Sequence, residues 1–117
     1  MDNPFSMSEP NSYLKFLEKL QAKKSSLSLS PTETKLLHAV AQAQDNGDIL
    51  QVKDLLALGE IASQATLHGS LKKLVEKKLL TTKADKVDGR VKHVQLTKLG
   101  NKYFSDLSDA LVMATKK

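Results

Sequence analysis

The sequence contains no cysteine. Disulfide bonds, thiolate metal sites and cysteine nucleophiles are therefore excluded. Long apolar runs are also missing: the longest, Ala110 to Ala114, is far shorter than the ~20 residues that a membrane-spanning helix needs. The first eleven residues show neither the basic segment nor the apolar segment of a secretion signal. We therefore expect a cytoplasmic protein with no membrane partner.

Motifs of catalytic and cofactor-binding sites are equally scarce. The chain has no phosphate-binding loop, no GxGxxG and no serine nucleophile elbow. Its histidines, His38, His68 and His93, are isolated and lack a metal-ligand spacing such as HExxH. Residues 45–48 are acidic but do not complete a calcium loop. We predict that the chain is not an enzyme and holds no metal and no cofactor.

The remaining composition is that of one small globular domain. The 117 residues are 40% hydrophobic and 26% charged, which suffices for a real core. The formal net charge is +5, and the segment from Glu60 to Gln95 carries most of it, with eight Lys and Arg against four acids. Such a concentration of positive charge favours a polyanionic partner.

Apolar spacing and capping signals predict the order helix, helix, short strand, helix, helix, strand, strand, helix. Residues 1–11 are expected to be a flexible tail, and residues 12–117 a single domain. Ser30, Pro31 and Glu33 form a capping-box helix start, and Thr97 can cap the last helix. The predicted helices cover residues 12–24, 31–44, 52–58, 64–78 and 98–115, and the predicted strands cover 49–51, 80–84 and 90–97.

The stretch from Ser63 to Thr97 is the central part of the predicted fold, and its pattern predicts a helix followed by a charged hairpin. The helix has one apolar stripe, formed by Leu67, Leu71, Leu74 and Val75. The expected hairpin turn is Asp88-Gly89, because glycine tolerates a positive φ. A helix-turn-helix followed by a hairpin is a winged helix, so we predict a mainly α (α+β) fold of about five helices with a small antiparallel β wing.

A winged helix offers two elements to double-stranded DNA. Its second helix can enter the major groove, and its hairpin tip can lie along the minor groove or the phosphate backbone. The candidate DNA-binding residues on these two elements are Ser63, Gln64, Thr66, His68, Gly69, Lys72, Lys73, Lys86, Arg90 and Lys92.

Each group of candidates also has a structural explanation. Arg90 can insert into the minor groove or pair with Asp88 across the turn, and the two roles are compatible. Ser63 and its neighbours can contact bases or phosphates, or cap and solvate the helix start. The lysines at 72, 73, 77 and 78 can bind phosphates or form a solvated face. Gly69 costs ~1 kcal/mol in a helix, so either something approaches it closely or packing compensates.

The wing resembles that of the MarR family of bacterial transcriptional regulators. The matching motifs are Asp88-Gly89-Arg90, Val94-Gln95-Leu96-Thr97 and Leu99-Gly100, and the similarity extends over roughly residues 36–104. The resemblance implies a homodimer that brackets a pseudo-palindromic DNA site, and a small-molecule effector that binds between the dimer helices and the DNA-binding domains. Lys78 stands where the family usually has glycine.

The terminal helices carry more apolar surface than a monomer needs. The dimerisation candidates are Tyr13, Phe16, Leu17, Leu20, Phe104, Leu107 and Leu111. They can pair across a twofold axis, or fold back onto their own domain. The function predicted from these features is a DNA-binding transcriptional regulator. The alternative is a winged-helix module that binds an acidic protein. It is motivated by Gly69 and Ser70, which are expected on the surface of the recognition helix where the family commonly has basic side chains, and by the absence of arginine from that helix.

Overall fold

The computed structural model describes residues 10–115 and confirms the predicted order of elements. The described residues form two compact units, one of residues 10–28 and 102–115 and the other of Leu29–Asn101. The predicted tail lies outside the described residues, apart from Pro10 and Asn11, which already belong to the first helix. The elements are α1 (Pro10–Ser26), α2 (Pro31–Asp45), β1 (Leu50–Gln51), α3 (Val52–Leu56), α4 (Gln64–Glu76), β2 (Leu80–Ala84), β3 (Lys92–Leu96) and α5 (Lys98–Thr115).

A leucine-rich core lies between the helices and the sheet of the second unit. Its buried residues are Leu36, Leu37, Val40, Leu55, Leu67, Leu71, Leu74, Leu79, Leu80 and Val94. The sheet is antiparallel in the order β1-β3-β2, so the short strand pairs with the later hairpin as predicted. These strands and helices together form the winged helix that the sequence indicated.

For two residues of α4 the observed exposure is the opposite of the predicted one. Val75 was placed in the buried stripe but is 36% exposed, whereas Ser70 was placed outside but is only 8% exposed. The stripe is centred on Leu67 and Leu74, and at ~100° per residue Ser70 is closer to that centre than Val75 is. The face that α4 leaves to solvent is therefore slightly rotated from the predicted one.

Both helix starts predicted from capping residues are confirmed. The Ser30 hydroxyl accepts the N–H of Glu33 at 3.1 Å, and the Glu33 carboxylate accepts the N–H of Ser30 at 3.2 Å. At α5, the Thr97 hydroxyl accepts the N–H of Gly100 at 3.0 Å. A β-carbon at Gly100 would collide with the carbonyl oxygen of Leu79, which explains the glycine in this motif.

Glu33 also holds α2 against the end of α4. Its side chain is 3% exposed, and its second carboxylate oxygen accepts a hydrogen bond from Lys77 Nζ at 2.6 Å. Burial alone would raise the pKa of Glu33, but the hydrogen bonds from Lys77 and Ser30 outweigh it and lower the pKa. Lys77 is therefore a structural cation, and its inclusion in the phosphate-binding run was wrong.

Helix α4 ends in a complete Schellman motif. The N–H of Lys78 bonds to the carbonyl of Val75 at 2.9 Å, and the N–H of Leu79 bonds to that of Leu74 at 3.0 Å. The motif needs a left-handed residue, and Lys78 adopts φ +64. The lysine found at the family's glycine position thus takes the conformation that glycine adopts most easily.

We expect Lys78→Gly to raise the free energy of unfolding by about 1 kcal/mol, because it removes the β-carbon strain of a left-handed residue. Urea unfolding followed by circular dichroism measures the change. Lys73→Gly is the matched control, since the same substitution inside α4 should destabilise by about 1 kcal/mol. A destabilised Lys78→Gly variant would contradict the assignment of strain to this residue.

The first unit consists of α1 and most of α5. Lys23 and Lys102 both contact Asp106, at 2.6 Å and 3.2 Å, and their hydrogen bonds lower the pKa of that carboxyl. None of the seven dimerisation candidates is fully buried in the single chain, and Tyr13 and Leu111 are exposed. Of the helices in residues 10–115, none combines the length and the apolar character that crossing a membrane would require.

Candidate nucleic-acid interface

Helix α4 presents a polar stripe to solvent. Gln64, His68 and Lys72 are all exposed, and their spacing of four residues places them on one face of the helix. Lys73 is exposed beside them. The structure therefore leaves four of the predicted DNA-binding side chains of α4 open to a partner.

The first turn of α4 uses two further candidates for capping. The Ser63 hydroxyl accepts the N–H of Thr66 at 3.3 Å and donates its own hydrogen to Thr66 Oγ1 at 3.0 Å. The structural explanation of Ser63 is thus confirmed. The hydroxyl hydrogen of Thr66 is left for another acceptor, and both residues are exposed.

The fold itself does not require the glycine at position 69. A β-carbon built on Gly69 would have no heavy atom within 4 Å outside its own helix and chain neighbours. Packing therefore gives no reason for a residue that costs ~1 kcal/mol in a helix interior. The close approach of a partner to Gly69 stays a prediction.

The wing tip is fixed by a carboxylate that the sequence analysis did not single out. Asp85 Oδ2 accepts the N–H groups of Val87 and Asp88 at 3.0 Å and 2.9 Å, and Oδ1 lies 3.2 Å from His93 Nε2. The N–H of Asp88 above all, with His93 and the N–H of Val87, lowers the pKa of Asp85. An aspartate two residues before a bonded N–H is an Asx-turn signal, so the sequence contained it.

A turn does lie at Asp88-Gly89, as predicted, and the N–H of Val91 closes it on the carbonyl of Asp88 at 3.0 Å, but the hairpin connection is longer than expected and Gly89 does not take a positive φ. The connection spans residues 85–91, closed by a bond from Asp85 N–H to Val91 O at 2.8 Å. Gly47 is the glycine with a positive φ among the described residues, and Gly89 has none. The loop is longer because the Asp85 carboxylate holds the residues that precede this turn.

Arg90 combines the two roles proposed for it. Its Nε and its backbone N–H both donate to Asp88 Oδ1, at 3.2 Å and 3.1 Å. The arginine side chain nevertheless remains 93% exposed. The pair with Asp88 therefore orients the guanidinium group without covering it, and an exposed pair of this kind contributes little to stability.

Four lysines of α4 and the wing have no ion-pair partner among the described residues. Within residues 10–115, no carboxylate comes within ion-pair distance of Lys72, Lys73, Lys86 or Lys92, and all four are exposed. Their charges are therefore available to an anionic partner. The described part of the chain shows no group of three His, Asp or Glu side chains arranged to hold a metal ion.

A sequence model of the MarR family matches residues 27–91, which is more than half of the chain. The chain belongs to the MarR family. Members of this family are transcriptional regulators rather than enzymes, which confirms the prediction that the chain is not an enzyme. No curated protein matches the chain.

Solved structures of MarR-type regulators share the fold. S. aureus MepR, in a complex with DNA, has a TM-score of 0.64 and 24% identity, over 83% of this chain and 78% of MepR. The adhesin competence repressor AdcR of Streptococcus pyogenes has a TM-score of 0.55 and 27% identity. The match covers 80% of this chain and 65% of AdcR, so the chain spans about two thirds of that repressor.

Proposed function

We propose that this MarR-family regulator binds double-stranded DNA with α4 in the major groove and the wing on the minor groove and backbone. The observation that carries the proposal is the set of exposed cations on these two elements of one unit: four lysines without an ion-pair partner among the described residues, and Arg90, whose side chain is 93% exposed despite its pair with Asp88. Phosphate neutralisation by lysine and arginine supplies most of the affinity of such proteins. The structure of S. aureus MepR, which shares this fold, was solved in a complex with DNA and supports DNA as the partner.

The residues divide by the part of DNA that each can reach. Gln64 and His68 are suited to base edges, because they lie in the first turns of α4 and carry amide or imidazole groups. Thr66, Lys72 and Lys73 are suited to phosphates. Lys86, Arg90 and Lys92 belong to the wing, where Arg90 would enter the minor groove.

The proposed assembly is a homodimer formed through the first unit. The exposed large apolar side chains of that unit are Tyr13, Leu14, Leu111, Val112 and Met113. Two helices cannot bury apolar side chains on every face, so a second copy across a twofold axis is the natural cover. Two recognition helices related by such an axis would read half-sites about 34–36 Å apart.

Selection of duplexes from a random pool tests the function, and the stoichiometry of the winning complex tests the assembly. We expect a pseudo-palindromic site bound by two chains, and a free protein of twice 12.9 kDa by light scattering. A single-chain mass at every concentration and one chain per duplex would reject the dimer. Absence of any duplex binding at low salt would reject the function.

The alternative, an acidic protein partner, uses the same exposed cations. Pull-down from a lysate before and after nuclease treatment separates the two, because only a nucleic-acid contact is lost on digestion. A single acidic protein retained after nuclease, together with no duplex binding, would favour the alternative.

A further inference from the structure

The tip of the wing carries an apolar side chain that the protein leaves in water. Val87 is 96% exposed, which makes it the most exposed large apolar residue in the range 10–115. Its side chain therefore contributes nothing to the core, and its neighbours in sequence are Lys86 and Asp88.

The position of Val87 is fixed through its backbone alone. Its N–H donates to Asp85 Oδ2 at 3.0 Å, and Asp85 is itself bonded to Asp88 and His93. Any residue with an N–H could make this bond, so the loop does not need a valine here. Because the loop already holds the valine methyl groups in place, little further conformational entropy is lost when a partner binds them.

Charge beside Val87 indicates which partner it meets. Lys86 is exposed next to it, and the Arg90 guanidinium group is 93% exposed in the same loop. A narrow minor groove rich in A·T pairs attracts such cations, and apolar side chains are common beside them in minor-groove proteins. We propose that Val87 contacts the floor of the minor groove and makes the wing select A·T over G·C pairs.

The selection follows from the chemistry of the base edges. In the minor groove, guanine carries a 2-amino donor at the place where adenine has only a C–H group. An isopropyl group against that amine would remove its water and give it no acceptor in return. Val87 therefore favours A·T by excluding the 2-amino group of G·C, which adds to the attraction of Arg90 for a narrow, A·T-rich groove.

The inference rests on the proposed function and is tested on the selected duplex. Hydroxyl-radical footprints locate the wing, and each A·T pair beneath it is replaced by G·C or by inosine·cytosine. Inosine lacks the 2-amino group but keeps the major-groove edge of guanine, so only a minor-groove contact separates the two. For the wild type we expect weakened binding to the G·C duplex and nearly unchanged binding to the inosine duplex.

Val87→Ala should weaken binding to the A·T duplex about four- to fifteenfold for each wing, because each buried methyl is worth roughly a factor of four. The slope of binding against salt should stay unchanged, since no charge is lost. The variant should bind the G·C and inosine duplexes equally, and Val87→Asn should prefer G·C because its amide oxygen accepts from guanine.

Ile49→Ala is the matched control, because Ile49 is an exposed apolar side chain of the same unit that lies beside Asp48. It should bind every duplex as the wild type does. If the wild type binds the duplexes and Val87→Ala binds all three with the same affinity, the inference about Val87 is wrong and the proposed function still stands. A wild type that binds no duplex would overturn the proposed function and the inference with it.

Discussion

Arg90→Ala is expected to weaken binding to the selected duplex by roughly 1–3 kcal/mol for each wing. The side chain is 93% exposed and its pair with Asp88 leaves the terminal nitrogens of the guanidinium group uncovered. In a narrow minor groove that group meets concentrated negative potential. The slope of log K against log salt should fall by about 0.9 for each cation removed.

Two further variants separate the role of charge from the role of shape. Arg90→Lys keeps the charge and should restore the salt slope without restoring the full affinity, because lysine lacks the planar group. Lys19→Ala removes one exposed cation from α1, in the other unit, and should change neither quantity. If Arg90→Ala behaves like Lys19→Ala in fluorescence-anisotropy titrations, the minor-groove role of Arg90 is wrong.

Lys77→Ala is expected to lower the free energy of unfolding by about 3 kcal/mol, the largest effect on stability that we predict. The reason is that Glu33, 3% exposed, would be left as a buried carboxylate without its cation at 2.6 Å. Urea unfolding at about pH 7 measures the loss. Lys73→Ala, an exposed lysine on the same helix, should change stability by less than about 0.5 kcal/mol.

The cost of Lys77→Ala should depend on pH with a definite sign. In the wild type the pKa of Glu33 is lowered, so the contribution of the pair is present above the ordinary value of 4.5 and is lost as pH falls through the folded value. Without Lys77, the pKa of Glu33 loses the largest cause that lowers it, so the variant loses less stability in acid than the wild type does.

The difference between the two proteins should therefore shrink as pH falls below the ordinary value of 4.5 and through the folded value. Glu33→Gln provides the control, because an uncharged side chain at this position removes the titration altogether. A difference that stays constant over this range would show that Glu33 is not the group responsible.

Local signals in the sequence determined most of the secondary structure. Ser30 and Glu33 cap α2, Ser63 caps α4 and Thr97 caps α5, and each bond joins residues only three positions apart. Such bonds depend on the identity and spacing of a few neighbours, which the sequence states directly. Apolar spacing likewise predicted the buried positions Leu67, Leu71 and Leu74, because helical geometry repeats.

Other features depend on residues that only the folded chain brings together. Lys77 was predicted to be a surface cation, but it meets Glu33, which lies 44 positions earlier. The wing loop is set by Asp85 and His93, eight positions apart on opposite sides of the hairpin.

The sequence by itself thus determined the winged-helix order, the family and the elements that carry positive charge, because these follow from local pattern and composition. The tertiary structure alone decided which of those charges remain free for a partner and which are neutralised inside the protein. It also left Val87 exposed to solvent in the same loop as Arg90. The physical reason is that burial and ion pairing depend on distances in space, which no spacing along the chain specifies.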